Sequence, residues 1–221
     1  YSVTQPAPFV SAIVGNNAGG GFNISCTGGS NGSTSGSITG GNAPLSYSWT
    51  GPGGYSSNTP NVSGGLAGTY NLAVTDAFGC TFNTSIVLTQ PTVLSNVGTA
   101  LQHVLCRGAS TGSASATAAG GVGPYSYAWN TVPAQIGPLA TGLTAGTWTC
   151  TVTDANGCTS ATNVTISEPA TNISAVIGGT TPVACFGGNT GSITASVSGG
   201  VPNYSYSWNT TPVQTTATAT G

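Results

Sequence analysis

The chain has 221 residues, 35 of them glycine, and only Arg107, Asp76, Asp154 and Glu168 carry full charge, for a net of −2. A single arginine cannot form the basic face that displaces counterions from nucleic acid, nor the basic patch that holds a protein to a membrane surface. No apolar run is long enough to insert into a bilayer, and β-branched and aromatic residues are too frequent for a disordered chain.

Residues 1–6, YSVTQP, read as the last strand of a preceding module, because the same ending returns as IVLTQP (Ile86–Pro91) and VTISEP (Val164–Pro169). Proline after a strand cannot continue the ladder, so each of these prolines marks a boundary. No export signal opens the chain, which reads as a mature or excised region.

The first module spans residues 7–91. PFVSAIV and FNISC supply its early strands, followed by SGSIT, a Gly40-Gly41 turn and LSYSW. In LSYSW, Leu45, Tyr47 and Trp49 alternate with Ser46 and Ser48, the period of a half-buried strand. After a Gly/Pro-rich loop the module closes with LAGTYNLAVTDAFGC and TSIVLTQ, in which Tyr70, Leu72 and Val74 share one face. The second module, residues 92–169, repeats the pattern, with Tyr125, Tyr127 and Trp129 in its central strand. Its late segment is LTAGTWTCTVTDANGC, with Trp148 and Cys150 at the Tyr70 and Leu72 positions. The third module, residues 170–221, stops where Gly221 matches Gly142, so a longer natural chain is expected.

Three stretches carry the repeat most clearly: Cys26–Trp49, Cys106–Trp129 and Cys185–Trp208. In each the Trp follows the Cys by 23 residues, and Cys106 and Cys185 follow the preceding counterpart by 80 and 79. Fixed spacing over such a distance means three copies of one structural unit. Short strands broken by Gly, Pro and Asn turns, with no helical period, predict an all-β chain: a tandem array of small antiparallel β-sandwich modules of about 79 residues. Stacked end to end, such modules would make a long thin rod.

The order C-x-G, a Gly-Gly pair, P-Y-x-Y-x-W, then L-x-A-G-T-Y/W-x-x-x-V-T-D-x-x-G-C and a closing strand ending in Gln-Pro or Glu-Pro resembles the SprB-type repeat of very large Bacteroidetes surface adhesins, including gliding-type ones. The resemblance covers nearly the whole chain. It implies an Ig-like sandwich array, export by the type IX system, and work at the bacterial cell surface as an adhesin or filament. The near-absence of charge and Cys150 depart from anything the resemblance supplies.

Six cysteines at repeat positions, without the close spacing of a zinc site, fit an oxidising compartment. Two pairings within modules suggest themselves, Cys26–Cys80 and Cys106–Cys158, each closing a loop worth about 4 kcal/mol. Cys185 would then need a partner beyond Gly221. The alternative joins neighbouring modules through Cys80 and Cys106. Cys150, left over, reads as a buried thiol.

Asp76 and Asp154 offer one acid each to a calcium ion that wants six or more oxygens, so a turn-closing role is the simpler reading and no metal is expected. Tyr47, Trp49, Tyr70, Tyr127, Trp129, Trp148, Tyr206 and Trp208 read as core; the competing role of a sugar-stacking platform would need them exposed. Tyr55 and Phe78 fall in predicted loops and are the candidates for contact with a partner. His103 is the only histidine, so no repeating Ser-His-Asp centre exists, and the glycine-rich stretches lack the lysine of a phosphate loop. No catalytic residue and no cofactor is expected. Eight Asn-x-Ser/Thr sequons offer glycan sites. The partners to expect are neighbouring modules of the same chain, other copies in a filament, and a surface polysaccharide. The function classes in play are an adhesin stalk, a laterally assembling fibre and a carbohydrate-binding array.

Overall fold

The alternating segments around Trp49 and Trp129 form strands, Ser46–Gly51 and Ser126–Trp129, whereas the equivalent YSYSW at residues 204–208 does not. The computed structural model describes residues 5–221. The reading of residues 1–6 as the end of a preceding module therefore falls mostly outside the described residues. Packing divides the chain into two compact units. One comprises the described residues up to Val97, with Thr117–Ala128 and Cys150–Thr162; the other comprises Gly98–Ala116, Trp129–Thr149 and Asn163–Gly221.

The first repeat opens with four two-residue strands: β1 (Val10–Ser11), β2 (Val14–Gly15), β3 (Thr34–Ser35) and β4 (Ile38–Thr39), paired β1–β4 and β2–β3. The break between the pairs lies at Gly36, where backbone of Ala12 and Ile13 presses so close that a side chain has no room. Opposite them stands an antiparallel sheet ordered β6-β5-β7-β8, made of β5 (Ser46–Gly51), β6 (Tyr55–Ser57), β7 (Gly68–Thr75) and β8 (Thr81–Leu88). FNISC, predicted as a strand, forms no ladder. It bends past the end of β8, where Asn23 and Ile24 both donate to the Thr89 carbonyl, while the Ile24 side chain is fully buried.

The two layers close over Ile38, Trp49, Val62, Tyr70, Leu72, Val74 and Leu88, with Phe9, Ile13, Tyr47 and Phe82 packed at the margin. Register accounts for the choice. Trp49 pairs with Leu72 and Tyr47 with Val74, so the inward sides of β5 and β7 fall together, and Tyr70, Leu72 and Val74 lose nearly all contact with water. Burying each such side chain contributes on the order of 1.5–3 kcal/mol, which is what sets the register.

The second repeat contains β9 (Ser95–Gln102), β10 (Gly112–Ala119), β11 (Ser126–Trp129), β12 (Leu139–Leu143), β13 (Gly146–Thr153) and β14 (Thr159–Ile166). They form two three-stranded sheets, β12-β10-β9 and β11-β13-β14. The third repeat has β15 (Ser174–Thr181), β16 (Ser192–Ser198) and β17 (Thr218–Thr220) in one sheet, β15-β16-β17, the counterpart of β9, β10 and β12. A cleft of about 340 Å³ in this repeat is lined by Ile173, Val176, Val197, Tyr204, Tyr206 and Trp208. Trp49 and Trp129 are buried, whereas Tyr206 and Trp208 are only half-buried.

Candidate functional site at the repeat junction

Each of the three C-x-G cysteines sits in the same turn. The N–H three residues on, from Gly29, Ala109 or Gly188, returns to the carbonyl of Cys26, Cys106 or Cys185 at 2.9 Å. The middle glycines, Gly28, Gly108 and Gly187, hold φ of 75°, 77° and 76°, a left-handed conformation that is costly for any residue with a Cβ. A second bond ties this turn to the end of its own repeat's last strand. Gly28 N–H donates to the Gln90 side chain at 2.8 Å, and Gly108 N–H to the Glu168 side chain at 2.7 Å. Thr27 Oγ1 donates to the Pro91 carbonyl, and Arg107 reaches the Ala170 carbonyl from the same position.

At the other pole lies the D-x-x-G-C turn. Asp76 and Asp154 are buried, and each carboxylate is filled by backbone donors. One oxygen accepts from Phe78 and Cys80 (or Asn156 and Cys158), all at 2.9 Å. The second oxygen accepts from the residue after the Gly-Gly pair, Asn42 at 3.1 Å or Val122 at 2.9 Å. The glycine pair is there to allow this approach: a Cβ on Gly121 would stand 2.5 Å from the Asp154 carboxylate. Three backbone donors spread over both oxygens make each carboxylate a turn clamp. Burial pushes the Asp76 carboxyl up, but the N–H groups of Cys80, Asn42 and Phe78 outweigh it and hold it below the ordinary range.

The two turns meet between consecutive repeats. Cys26 is bonded to Cys158, with Cα atoms 5.8 Å apart and a sequence separation of 132. Beside the bond, Asn156 Nδ2 donates to the Ser25 carbonyl at 2.9 Å. The linker is held as well, since Gly121 N–H donates to Thr92 O.

The predicted pairings within modules, Cys26–Cys80 and Cys106–Cys158, are therefore not formed, and neither is Cys80–Cys106; Cys80 and Cys106 are free, exposed thiols. The reason is the length of one strand. Cys26 belongs to the turn tied to Gln90, past the end of β8, whereas Cys80 immediately precedes its start at Thr81. Eight residues at about 3.3 Å each separate those ends by over ~20 Å, far beyond what a disulfide spans. β14 separates the Glu168 end from Cys158 in the same way.

Cys185 is also free and exposed, and Cys150 is free and wholly buried. Burial pushes the Cys150 thiol up, against smaller opposing contacts from Asn96 and the Ala128 backbone. Tyr55 was expected in a loop, available to a partner. It lies instead in β6, its ring edge-on to Tyr70 at 5.1 Å, with its hydroxyl accepting from Ser63 N–H at 3.2 Å. The reason is that β5 turns straight back through Pro52–Gly54, which brings Tyr55 opposite Gly51. Phe78 is 80% exposed, in the D-x-x-G-C turn. Tyr47, Tyr127 and Trp148 are half-buried, and Tyr70 is fully buried. Tyr70 and Trp148 each donate to a carbonyl four residues earlier, Leu66 and Thr144, both at 3.0 Å.

Sequence reasoning passed over one repeated feature. In W-N-T-x-P-x-Q, the side chain of Gln135 accepts from Thr141 N–H and donates to its carbonyl, and Gln214 does the same with Thr220. The signal was present, since Asn-Thr, Pro and Gln recur at identical offsets after Trp129 and Trp208. His103 accepts a bond from Ser167 N–H at 3.0 Å. Among the described residues no group of three or more His, Cys, Asp or Glu gathers as metal ligands, and no helix is long and apolar enough to cross a membrane.

A protein-family model for the SprB repeat matches residues 99–134 and 178–212. These two stretches are SprB repeats. Both matches begin in the strand before a C-x-G turn and run past the Trp, so they take in Cys106 and Cys185. No curated protein sequence matches the chain. Among solved structures, the amphioxus IgVJ-C2 molecule is similar at 16% identity and a TM-score of 0.28, over 57% of this chain and 90% of that one. The N-terminal eight Ig domains of Down Syndrome Cell Adhesion Molecule are similar at 15% and 0.29, over 72% and 27%. A tetra-tandem repeat from the extending region of a large adhesion protein is similar at 14% and 0.26, over 96% and 63%.

Proposed function

We propose that this chain is a stretch of an extracellular, non-catalytic SprB-repeat array that serves as the stalk or filament of a bacterial cell-surface adhesin. The observation that carries the reading is the Cys26–Cys158 bond, placed between consecutive repeats rather than inside one. A bond there adds nothing to a reaction centre and resists the separation of repeats, which is the need of a molecule under tension. It also requires an oxidising compartment. SprB repeats are known from cell-surface adhesins, which supports the surface location, and type IX export and a link to gliding are part of the same proposal.

The carbohydrate-platform alternative loses its main residues, because Trp49 and Trp129 are buried and the Trp129 indole N–H is spent on the Gly137 carbonyl. Fab fragments raised against the chain provide the test. They should label intact producing cells and reduce attachment of those cells to a surface. Labelling only after lysis, or full attachment under saturating Fab, would overturn the proposal.

A further inference from the structure

Three thiols remain exposed in surroundings that copy the two halves of the bond already made. Cys106 and Cys185 occupy the turn of Cys26, down to the returning N–H and the left-handed glycine. Cys80 occupies the turn of Cys158: Asp76 N–H and Asp154 N–H return to the Cys80 and Cys158 carbonyls at 3.0 and 2.9 Å, and the carboxylates are filled by the same donors. The second junction is also already laid out on the donor side, through Gly108 to Glu168 and Arg107 to Ala170. The receiving cysteine of that junction would belong to the D-x-x-G-C turn of the third repeat, C-terminal to Gly221.

Phe78 adds an independent observation. It takes the position of Asn156, which in the closed junction lies against the incoming turn at Ser25. In the first repeat that position holds a phenylalanine that is 80% exposed, an apolar side chain with nothing over it.

We propose that Cys80 and Phe78 form a docking site for the C-x-G turn of another SprB-type repeat, and that the array follows one pairing rule: the C-x-G cysteine of each repeat bonds to the D-x-x-G-C cysteine of the next. Cys106 is then the donor for the third repeat, and Cys80 the acceptor for a repeat ahead of the first. Each closure joins two thiols into one disulfide, giving up two protons and two electrons. The oxidant is a disulfide: one cysteine thiolate attacks it to form a mixed disulfide and release one thiol, and the other cysteine then displaces the second thiol. The cell must supply such a disulfide-donating oxidant in the compartment where the array folds; in vitro, oxidised glutathione serves.

The rule concerns how repeats are joined and is independent of adhesion, so it can stand where Fab labelling fails, and the reverse. The first measurement uses the protein as isolated from cells, with free thiols alkylated before non-reducing chymotryptic mapping. The Cys80 peptide should appear linked to a C-x-G peptide, and Cys106 to a D-x-x-G-C peptide. Alkylated Cys80 or Cys106, or either one linked within its own repeat, overturns the rule.

The second measurement completes the third repeat by appending a copy of residues 143–169 after Gly221 and refolding the chain in a glutathione redox buffer. Cys106 should bond to the appended copy of Cys158, and Cys106→Ser should leave that copy alkylated. Cys26–Cys158 serves as the internal folding control. If it forms while Cys106 stays alkylated or pairs elsewhere, the rule is wrong; if it fails to form, the map of the cellular protein decides.

Discussion

Asp76 shows how much a single side chain organises in these repeats. Its carboxylate gathers the D-x-x-G-C turn and the Gly-Gly turn into one pole, and those N–H donors hold its titration below the ordinary carboxylate range. A group whose folded value is depressed contributes stability above its unfolded value near pH 4 and loses it as pH falls through the folded value. The melting temperature should therefore fall as the pH is lowered below about 4. Asp76→Asn should start lower at pH 7 and flatten that fall, and an unchanged slope in the variant would discount the clamp. Trp49 offers a contrast of the same scale. Its buried indole N–H has no acceptor among the described residues, whereas that of Trp129 donates to Gly137. Trp129→Phe should cost about 1 kcal/mol more than Trp49→Phe in denaturant unfolding, the usual net worth of one hydrogen bond.

The C-x-G turn and the W-N-T-x-P-x-Q loop each work as small closed elements. Gly108→Ala forces a Cβ into a φ of 77° and should cost on the order of 1–2 kcal/mol. The same change at Gly123, whose φ is not positive and whose surroundings are open, should cost less. Gln135 holds its loop by paired bonds to the Thr141 backbone. Gln135→Ala should lose about 1–2 kcal/mol and raise amide exchange at Thr141, while Gln135→Glu, which keeps the acceptor, should retain part of the protection. These elements were only partly legible. The glycines and the repeat spacing pointed to turns, but a glutamine that closes a loop on itself has no periodic signature. FNISC looked like a strand by composition, yet lies where β8 has already ended and no ladder partner remains.

Across the whole molecule, the bond between repeats is the main constraint. Cys26→Ser should lower stability by about 2–5 kcal/mol, since the closed loop is long, and the loss should match that of reducing the unmodified chain. A smaller effect from Cys26→Ser than from reduction would mean that another bond shares the load. The sparse charge has its own consequence. With only four fully charged side chains, any association between copies must run through apolar and hydrogen-bonding surface such as Val132, Ile136 and Phe186. Sedimentation profiles at about 50 mM and 500 mM salt should therefore coincide, because there is little charge to screen.

Repetition, strand periodicity and the identity of the inward faces were determined by the sequence alone. Cys and Trp spacing defines three copies of one unit, and alternation at Tyr70, Leu72 and Val74 marks a face that water leaves. Those are local properties, fixed by side-chain period and turn chemistry over a few residues. The pairing of cysteines and the place of Tyr55 were decided by the tertiary structure. Counting cysteines inside a repeat suggests that its two partners belong together, but a strand of eight residues carries them to opposite poles. The chain then brings one repeat's end to the next repeat's beginning, and Cys26 finds Cys158. Tyr55 looked like a loop residue until β5 and its tight turn laid it against Tyr70. Distance along a chain says little about distance in space once strands run antiparallel, and a disulfide answers only to the latter.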